Sequence, residues 1–148
     1  MPTRVVCNVR QGEPATTTPE KDDLATRLGR MATDALIEEV HATPKPALVD
    51  RRGNGAHRDL NLALMEQSAR VLEPTFAALS RAARGTRPSA ALRAELGAIG
   101  RAGEAVMLRA TKGSNTHRGA IWIVGLLVAG ATIQAELTQP PLSAAETI

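Results

Sequence analysis

The sequence predicts an all-α protein, a bundle of about five helices. Three observations carry that reading. Phe76 and Trp122 are the only aromatic residues and Tyr is absent, whereas a β-sandwich or barrel leans on aromatic and β-branched side chains. The apolar residues that remain are Ala, Leu, Ile, Val and Met, a set weighted towards good helix formers. They recur at steps of three and four, and no segment alternates with a period of two. The length of 148 residues suits one domain of ordinary size.

Residues 1–17 are polar, Thr-rich and without helical period, which predicts a loose tail. Thr18-Pro19-Glu20 has the order of a helix start: a hydroxyl cap, Pro at the first position, an acid in the first turn. Leu24, Leu28, Met31, Ala35, Leu36 and Val40 then predict an amphipathic helix to about His41. Pro44 and Pro46 stop it, because each lacks an N–H and restricts the residue before it. A loop follows over residues 42–57. Asp59 is placed to cap the next helix, whose stripe is Leu60, Leu62, Met65, Ala69 and Leu72, with a kink or break at Pro74. A short helix with Phe76 and Leu79 should end near Gly85. Arg87-Pro88-Ser89 stops and restarts the chain, and Leu92, Leu96, Ile99, Ala102, Val106 and Met107 mark a helix to about Ala110. Lys112-Gly113-Ser114-Asn115 is a tight polar loop. Thr116 should cap a last, apolar helix over 117–137, with a second loose tail over 138–148.

Lys plus Arg number 18 against 15 Asp plus Glu. That mild excess favours anionic ligands, and a single-strand nucleic-acid binder would want aromatic platforms this chain lacks. A DNA-binding regulator is disfavoured too, since no helix-turn-helix signature or basic recognition helix is visible. Cys7 stands alone, so a disulfide framework or a cysteine-type zinc site within one chain is excluded. With no apolar signal core near the N-terminus, the expected compartment is the cytoplasm. The longest apolar run, Ala120 to Ile133, is shorter than the roughly 20 residues of a spanning helix. It reads as a helix meant for the middle of a protein, and too few helices remain to cover it. Either self-association through 117–137 or a partly molten, aggregation-prone chain is the expected consequence.

Two stretches concentrate chemistry. Residues 38–61 read EEVHATPKPALVDRRGNGAHRDLN. Lys45, Arg51, Arg52 and Arg58 supply cations. Gly53 and Gly55 let the backbone turn tightly and offer N–H groups to an anion. Asp50 and Asp59 are oxygen ligands of the sort Mg2+ sites use. His57 adds an imidazole just before a helix N-terminus. The physical reading is a polyphosphate cradle; the competing one is a solvated, Pro-stiffened surface loop.

Residues 104–120 read EAVMLRATKGSNTHRGA. Asn115 and Thr116 are suited to a ribose hydroxyl or a phosphate, His117 and Arg118 to an anion. Glu104 lies two turns before Thr111 and is placed to point into the same cleft. An ordinary helix–loop–helix cap is the alternative. Two of the three histidines lie in or beside these loops, each with Gly and Arg within two residues. Two such loops on a five-helix chain suggest one convergent site, in which His57 and His117 share a face.

Together the two stretches resemble the triphosphoribosyl-dephospho-CoA synthase family. Members carry a segment like E-V-x-x-T-P-K-P-G-L-V-D-R-x-x-x-G-A-H-x-D-M-D and, after a gap, A-E-x-x-M-L-x-A-T-x-G-V-N-T-H-K/R-G-A-I. Glu39 to Asp50 run in step with the first, continued by Gly55-Ala56-His57 and Asp59. Glu104, Met107-Leu108, Ala110-Thr111, Gly113, Asn115-Thr116-His117 and Arg118-Gly119-Ala120-Ile121 match the second. The likeness runs from about residue 30 to 131, and the Thr-Pro-Lys-Pro-Ala and Arg-Gly-Ala-Ile-Trp variants look most like the malonate decarboxylase branch. Ala47 stands where many members have Gly, Asn61 replaces the second Asp of D-M-D, and Lys112 and Ser114 replace small or apolar residues. Members run to nearly twice this length, with further motifs in their C-terminal halves, and AELTQPPLSAAETI no longer reads like them. The resemblance thus implies an incomplete version of a larger all-α enzyme domain.

The resemblance implies a transferase that joins ATP to 3′-dephospho-CoA, releases adenine and keeps the triphosphate on the product. Charge develops at an anomeric carbon in such a transfer, so the two-carboxylate logic of glycosidases applies. Glu39, Asp50, Asp59 and Glu104 are the available carboxylates. Asp50 and Asp59 are expected near Mg2+–triphosphate, and Glu39 or Glu104 nearer the sugar. Lys45, Arg51 and Arg118 would hold phosphates, with Gly55, Asn115 and Thr116 lining the nucleotide and His57 and His117 binding phosphate or relaying a proton. The alternative is a catalytically inactive, nucleotide-binding remnant.

Overall fold

The computed structural model describes residues 23–138. The start expected at Thr18-Pro19-Glu20 and both expected tails, apart from Thr138, lie outside them. Five helices run in order: α1 (Leu24–His41), α2 (Leu62–Val71), α3 (Glu73–Ala83), α4 (Ala90–Ala110) and α5 (Arg118–Thr138). Among the described residues the only sheet-like feature is one isolated bridge, Asp50 to Gly53. The all-α expectation holds.

Several boundaries move for identifiable reasons. The helix α1 opens at Leu24, where the Asp23 carboxylate accepts the Thr26 N–H at 2.8 Å. Its inward face keeps Leu36, Val40 and the half-buried Leu28 of the expected stripe, but not Met31 or Ala35. Ala25, Gly29, Ala32, Thr33, Leu36 and Val40 are buried, while Met31 points to solvent. Small residues face inward because α3 comes very close: a Cβ on Gly29 would lie 3.1 Å from the Ala77 N and the Glu73 O. The cap of α2 is Asn61, whose Oδ1 accepts the Leu64 N–H at 2.9 Å, and not Asp59. Asn is as good a cap as Asp, so the residue that departs from the D-M-D pattern has a structural use. The break at Pro74 is real but slight. Leu72 stays in the helical region and joins α2 to α3, with Pro74 in the first turn of α3. Ser89 caps α4 as expected. Asn115, rather than Thr116, accepts the Arg118 N–H at the head of α5 (3.2 Å).

The middle of the bundle is α3, the second shortest helix. Six of its eleven residues are buried, Phe76 and Leu79 among them, and it packs against all four other helices. Phe76, Leu72, Met107, Ile121, Leu36 and Leu96 meet around it in one core. Polar positions in that core are paired: Ser80 Oγ and Thr132 Oγ1 lie 2.6 Å apart between α3 and α5. By contrast α5 lies on the flank. Ile121, Gly125, Val128, Ala129 and Thr132 face inward, but Ile123, Leu126 and Leu127 are 60–67% exposed. It is also the one described helix long and apolar enough to cross a membrane by length and composition, with 28% of its most apolar window buried.

Candidate active site

The long loop between α1 and α2 is tied down by one carboxylate. Asp50 is 3% exposed. Its Oδ1 accepts the Arg52 N–H (2.8 Å), and its Oδ2 accepts the Lys45 N–H (2.9 Å) and the Arg52 Nε–H (2.9 Å). The Arg52 side chain first, and the Lys45 amide second, hold this carboxyl far below the usual carboxylate range. The backbone closes around it. Asp50 and Gly53 exchange two main-chain hydrogen bonds, and Ala56 N–H donates to Ala47 O (2.9 Å). Gly55 sits at φ 60°, and a Cβ there would lie 2.4 Å from Ala47 O, so only glycine fits. Ala47 itself adopts φ 63°, which accounts for the glycine common there in the resembling family.

This knot presents Lys45. Its Nζ donates to the Glu39 carbonyl (2.8 Å) and to Glu39 Oε1 (3.0 Å) at the end of α1. The second loop comes to the same end of the bundle. His117 is 5% exposed. Its Nδ1 lies 2.9 Å from Ser68 Oγ on α2, and Ser68 in turn pairs with the Thr116 hydroxyl. The His117 N–H points at Met107 Sδ (3.2 Å). Burial pushes the imidazole below its ordinary value, Glu39 pulls it up and Lys45 pushes it down. Glu39, Lys45, Ser68, Thr116 and His117 therefore form one neighbourhood drawn from both motif loops and α2. Of the first stretch, Glu39 and Lys45 act on the His117 ring electrostatically. His57, half-buried in the outer loop, donates its backbone N–H to Asn54 O.

The other expected residues fall into separate groups. Glu104 and Arg118 pair with each other, Oε1 to Nη2 at 2.6 Å. Arg51 Nε donates to His41 Nδ1 (3.2 Å), and His41 Nε2 donates to Glu66 Oε1 (2.7 Å), while Glu66 Oε2 accepts from Arg70. His41 and then Arg70 hold the Glu66 carboxyl low. Asp59 is exposed on the outer loop. Among the described residues no group of three or more His, Cys, Asp or Glu could hold a metal, and both oxygens of Asp50 are already engaged. Among the described residues no such group stands at Asp50 or Asp59.

Ser68, His41 and Glu66 were not among the expected site residues. Ser68 carried a signal: it falls on the apolar stripe of α2 beside Ala69, and a polar residue at a core position needs a partner. His41, at the end of α1, and Glu66, in the middle of α2, read as ordinary surface residues.

A family model described as ATP:dephospho-CoA triphosphoribosyl transferase, CitG, matches residues 25–147. The chain belongs to that family. The match continues through the last stretch, AELTQPPLSAAETI, so the expectation that the family pattern stops near residue 131 is corrected. Among curated relatives, the probable 2-(5''-triphosphoribosyl)-3'-dephosphocoenzyme-A synthase of Pseudomonas aeruginosa (strain UCBPP-PA14) is 58% identical over 118 residues, 79% of this chain and 40% of that protein. The proteins of the same name from Stutzerimonas stutzeri (strain A1501) and Azotobacter vinelandii are 57% and 52% identical, over 75% and 81% of this chain and 39% and 41% of theirs. The aligned part thus spans about two fifths of the relatives' length. No solved structure matches the chain.

Proposed function

We propose that the protein takes part in making 2′-(5″-triphosphoribosyl)-3′-dephospho-CoA from ATP and 3′-dephospho-CoA with release of adenine. Its setting is the cytoplasm, serving the acyl-carrier prosthetic group of malonate decarboxylase. The observation that carries the reading is the family match over residues 25–147, supported by the cation–carboxylate pairs Lys45–Glu39 and Arg118–Glu104 within the two motifs. The Thr-Pro-Lys-Pro-Ala variant at 43–47 supports the malonate over the citrate system.

In this reaction a ribose hydroxyl of dephospho-CoA attacks the anomeric carbon of the ATP ribose. A C–O bond forms, the C–N bond to adenine breaks, and the hydroxyl proton is taken up as adenine leaves protonated. Two cation–carboxylate pairs suit that chemistry, Lys45–Glu39 and Arg118–Glu104. A triphosphate that draws the Lys45 ammonium to itself releases the Glu39 carboxylate to act as base or to steady the cationic sugar. Arg118 and Glu104 offer the same exchange. Arg51 and His57 extend the anion-binding edge, Gly55 keeps the loop tight, and Asn115 and Thr116 face the ribose. Mg2+ enters with ATP, and Asp59 is an exposed carboxylate within the same stretch. Asp50 acts by holding Lys45 in place.

A second reading is favoured by the two-fifths coverage of the relatives: nucleotide binding without turnover. Incubating the chain with MgATP and 3′-dephospho-CoA, with chromatography for adenine, decides between them. Adenine at enzymatic rates that is lost in Lys45→Ala establishes the first. Calorimetric ATP binding without adenine selects the second. Neither binding nor release removes both. The exposed Ile123, Leu126 and Leu127 support a further proposal, self-association through α5.

A further inference from the structure

The His117 ring has one nitrogen satisfied and one not. Nδ1 meets Ser68 Oγ at 2.9 Å. Nε2 is buried and has no hydrogen-bond partner. Leaving a buried polar atom unmade costs on the order of 1–3 kcal/mol, so the unpaired Nε2 calls for a partner from outside the chain.

The proton on the ring can be placed by following the hydroxyls. Ser68 is fully buried and touches both Thr116 Oγ1 and His117 Nδ1. In one direction Thr116 donates to Ser68, Ser68 donates to Nδ1, and Nε2 carries the hydrogen, which leaves the buried ring N–H as the one group in the row that needs an acceptor from outside. The reverse direction makes Thr116 the final donor and demands a further acceptor for its hydroxyl. The ring's burial favours the neutral form, so one hydrogen is all it has. The Lys45 cation beside it favours an anionic visitor, and an anionic oxygen accepts but never donates.

We infer that Ser68 is a positioning residue which fixes His117 as a neutral Nε2–H donor for a phosphate oxygen of the nucleotide. This rests on the reading of the site as a triphosphate site. Ser68 touches no ligand; it sets which nitrogen carries the hydrogen. Lys45 then supplies charge and His117 a directed N–H, a division of labour that fixes orientation as well as affinity.

The test uses the full 148-residue chain, 15N-labelled, with inorganic triphosphate and ATP as probes. Long-range 1H–15N spectra of the histidine rings at pH 7 should show His117 as the Nε2–H tautomer, and saturating triphosphate should shift that Nε2 resonance. Thr116→Val keeps volume and removes the upstream donor. It should mix the tautomers and weaken triphosphate binding several-fold. Ser68→Ala should do so more strongly, by about tenfold, with circular dichroism confirming the fold of each. An Nδ1–H tautomer in the unaltered protein overturns the inference, as does an Nε2 resonance that saturating triphosphate and ATP leave unmoved. The adenine assay is independent. A shifted Nε2–H without adenine release leaves this inference standing and removes the proposed turnover. Adenine release with an Nδ1–H ring removes the inference alone.

Discussion

Glycine at 103 is a close contact written into the bundle, and replacing it should expose the size of that contact. A Cβ at this position of α4 would lie 2.4 Å from Thr75 Cγ2 and 2.8 Å from Thr75 Oγ1 on α3. Thr75 is 9% exposed and β-branched, so it has little freedom to swing aside. Gly103→Ala gains about 1 kcal/mol of helix propensity and meets an overpacking cost of about 1–3 kcal/mol. The expected net is a loss of about 1 kcal/mol, or some 2–4 °C in Tm for a chain of this size. Gly130 of α5 has nothing within 4 Å of its would-be Cβ, so Gly130→Ala should stabilise by up to about 1 kcal/mol. The same chemical change thus has opposite signs at two helical sites. Thr75→Ala clears Cγ2 and Oγ1, and in the double variant with Gly103→Ala the loss should be smaller than the sum of the two singles. Thermal and urea unfolding of the four variants by circular dichroism measures all of this. A stabilising Gly103→Ala, or strict additivity with Thr75→Ala, would refute the close-contact argument.

Three further outcomes follow from positions away from that contact. Leu126 and Leu127 are 60% and 67% exposed, so about three fifths of a full Leu burial is still available, roughly 1–2 kcal/mol each on association. The isolated chain should sediment as more than a monomer, and Leu126→Gln with Leu127→Gln should shift it towards monomer with little change in melting; a clean monomer at the outset sinks this. Ala47→Gly relieves a left-handed backbone (φ 63°) at an exposed site. The relief of about 1–2 kcal/mol exceeds the added unfolded-state entropy of about 0.4–1 kcal/mol, so Tm should rise, and a fall contradicts the strain. Stability should drop with acid in two stages. The folded His117 lies below its unfolded value near 6.5, so its contribution is present above that pH and fades as pH falls further. Asp50, Glu66 and Asp23 are also held low, and their contribution fades below about pH 4. Urea midpoints that rise on acidification would reverse the signs.

The helices were legible because periodicity and Pro or Gly punctuation report local physics, and the ends of α4 were placed to within a residue by Ser89 and Ala110. What misled was competition between equivalent local signals. Asp59 and Asn61 are both competent caps, and only the path of the loop, closed by Ala56 on Ala47, selects the second. Met31 fits an apolar stripe on paper, yet the close approach of α3 gives that face to Ala25, Gly29 and Ala32. At the site, the motifs led to Lys45 and His117. Ser68 lies 49 residues before His117; its place on an apolar stripe says that it needs a partner but not which one, because that contact is made only by tertiary packing. The role of Asp50 was hidden for the opposite reason. A carboxylate in a phosphate-like loop looks like a ligand until its hydrogen bonds to Lys45 and Arg52 are counted.

That the site is stitched from distant segments has a kinetic meaning. The contacts joining α2 to α3 and α3 to α4 close short stretches of chain, and such contacts form early because little loop entropy is lost. The ring of His117 meets Ser68 across 49 residues and feels Glu39 across a longer stretch still. Its pocket can exist only once the outer helices have docked, so the last structure to form is the part that would meet the nucleotide. A ligand there grips both ends of the described chain at once. It would raise global stability with the logarithm of its concentration and most of all slow the opening of α1 and α5, which hydrogen exchange along those two helices would register as protection that α3 gains least.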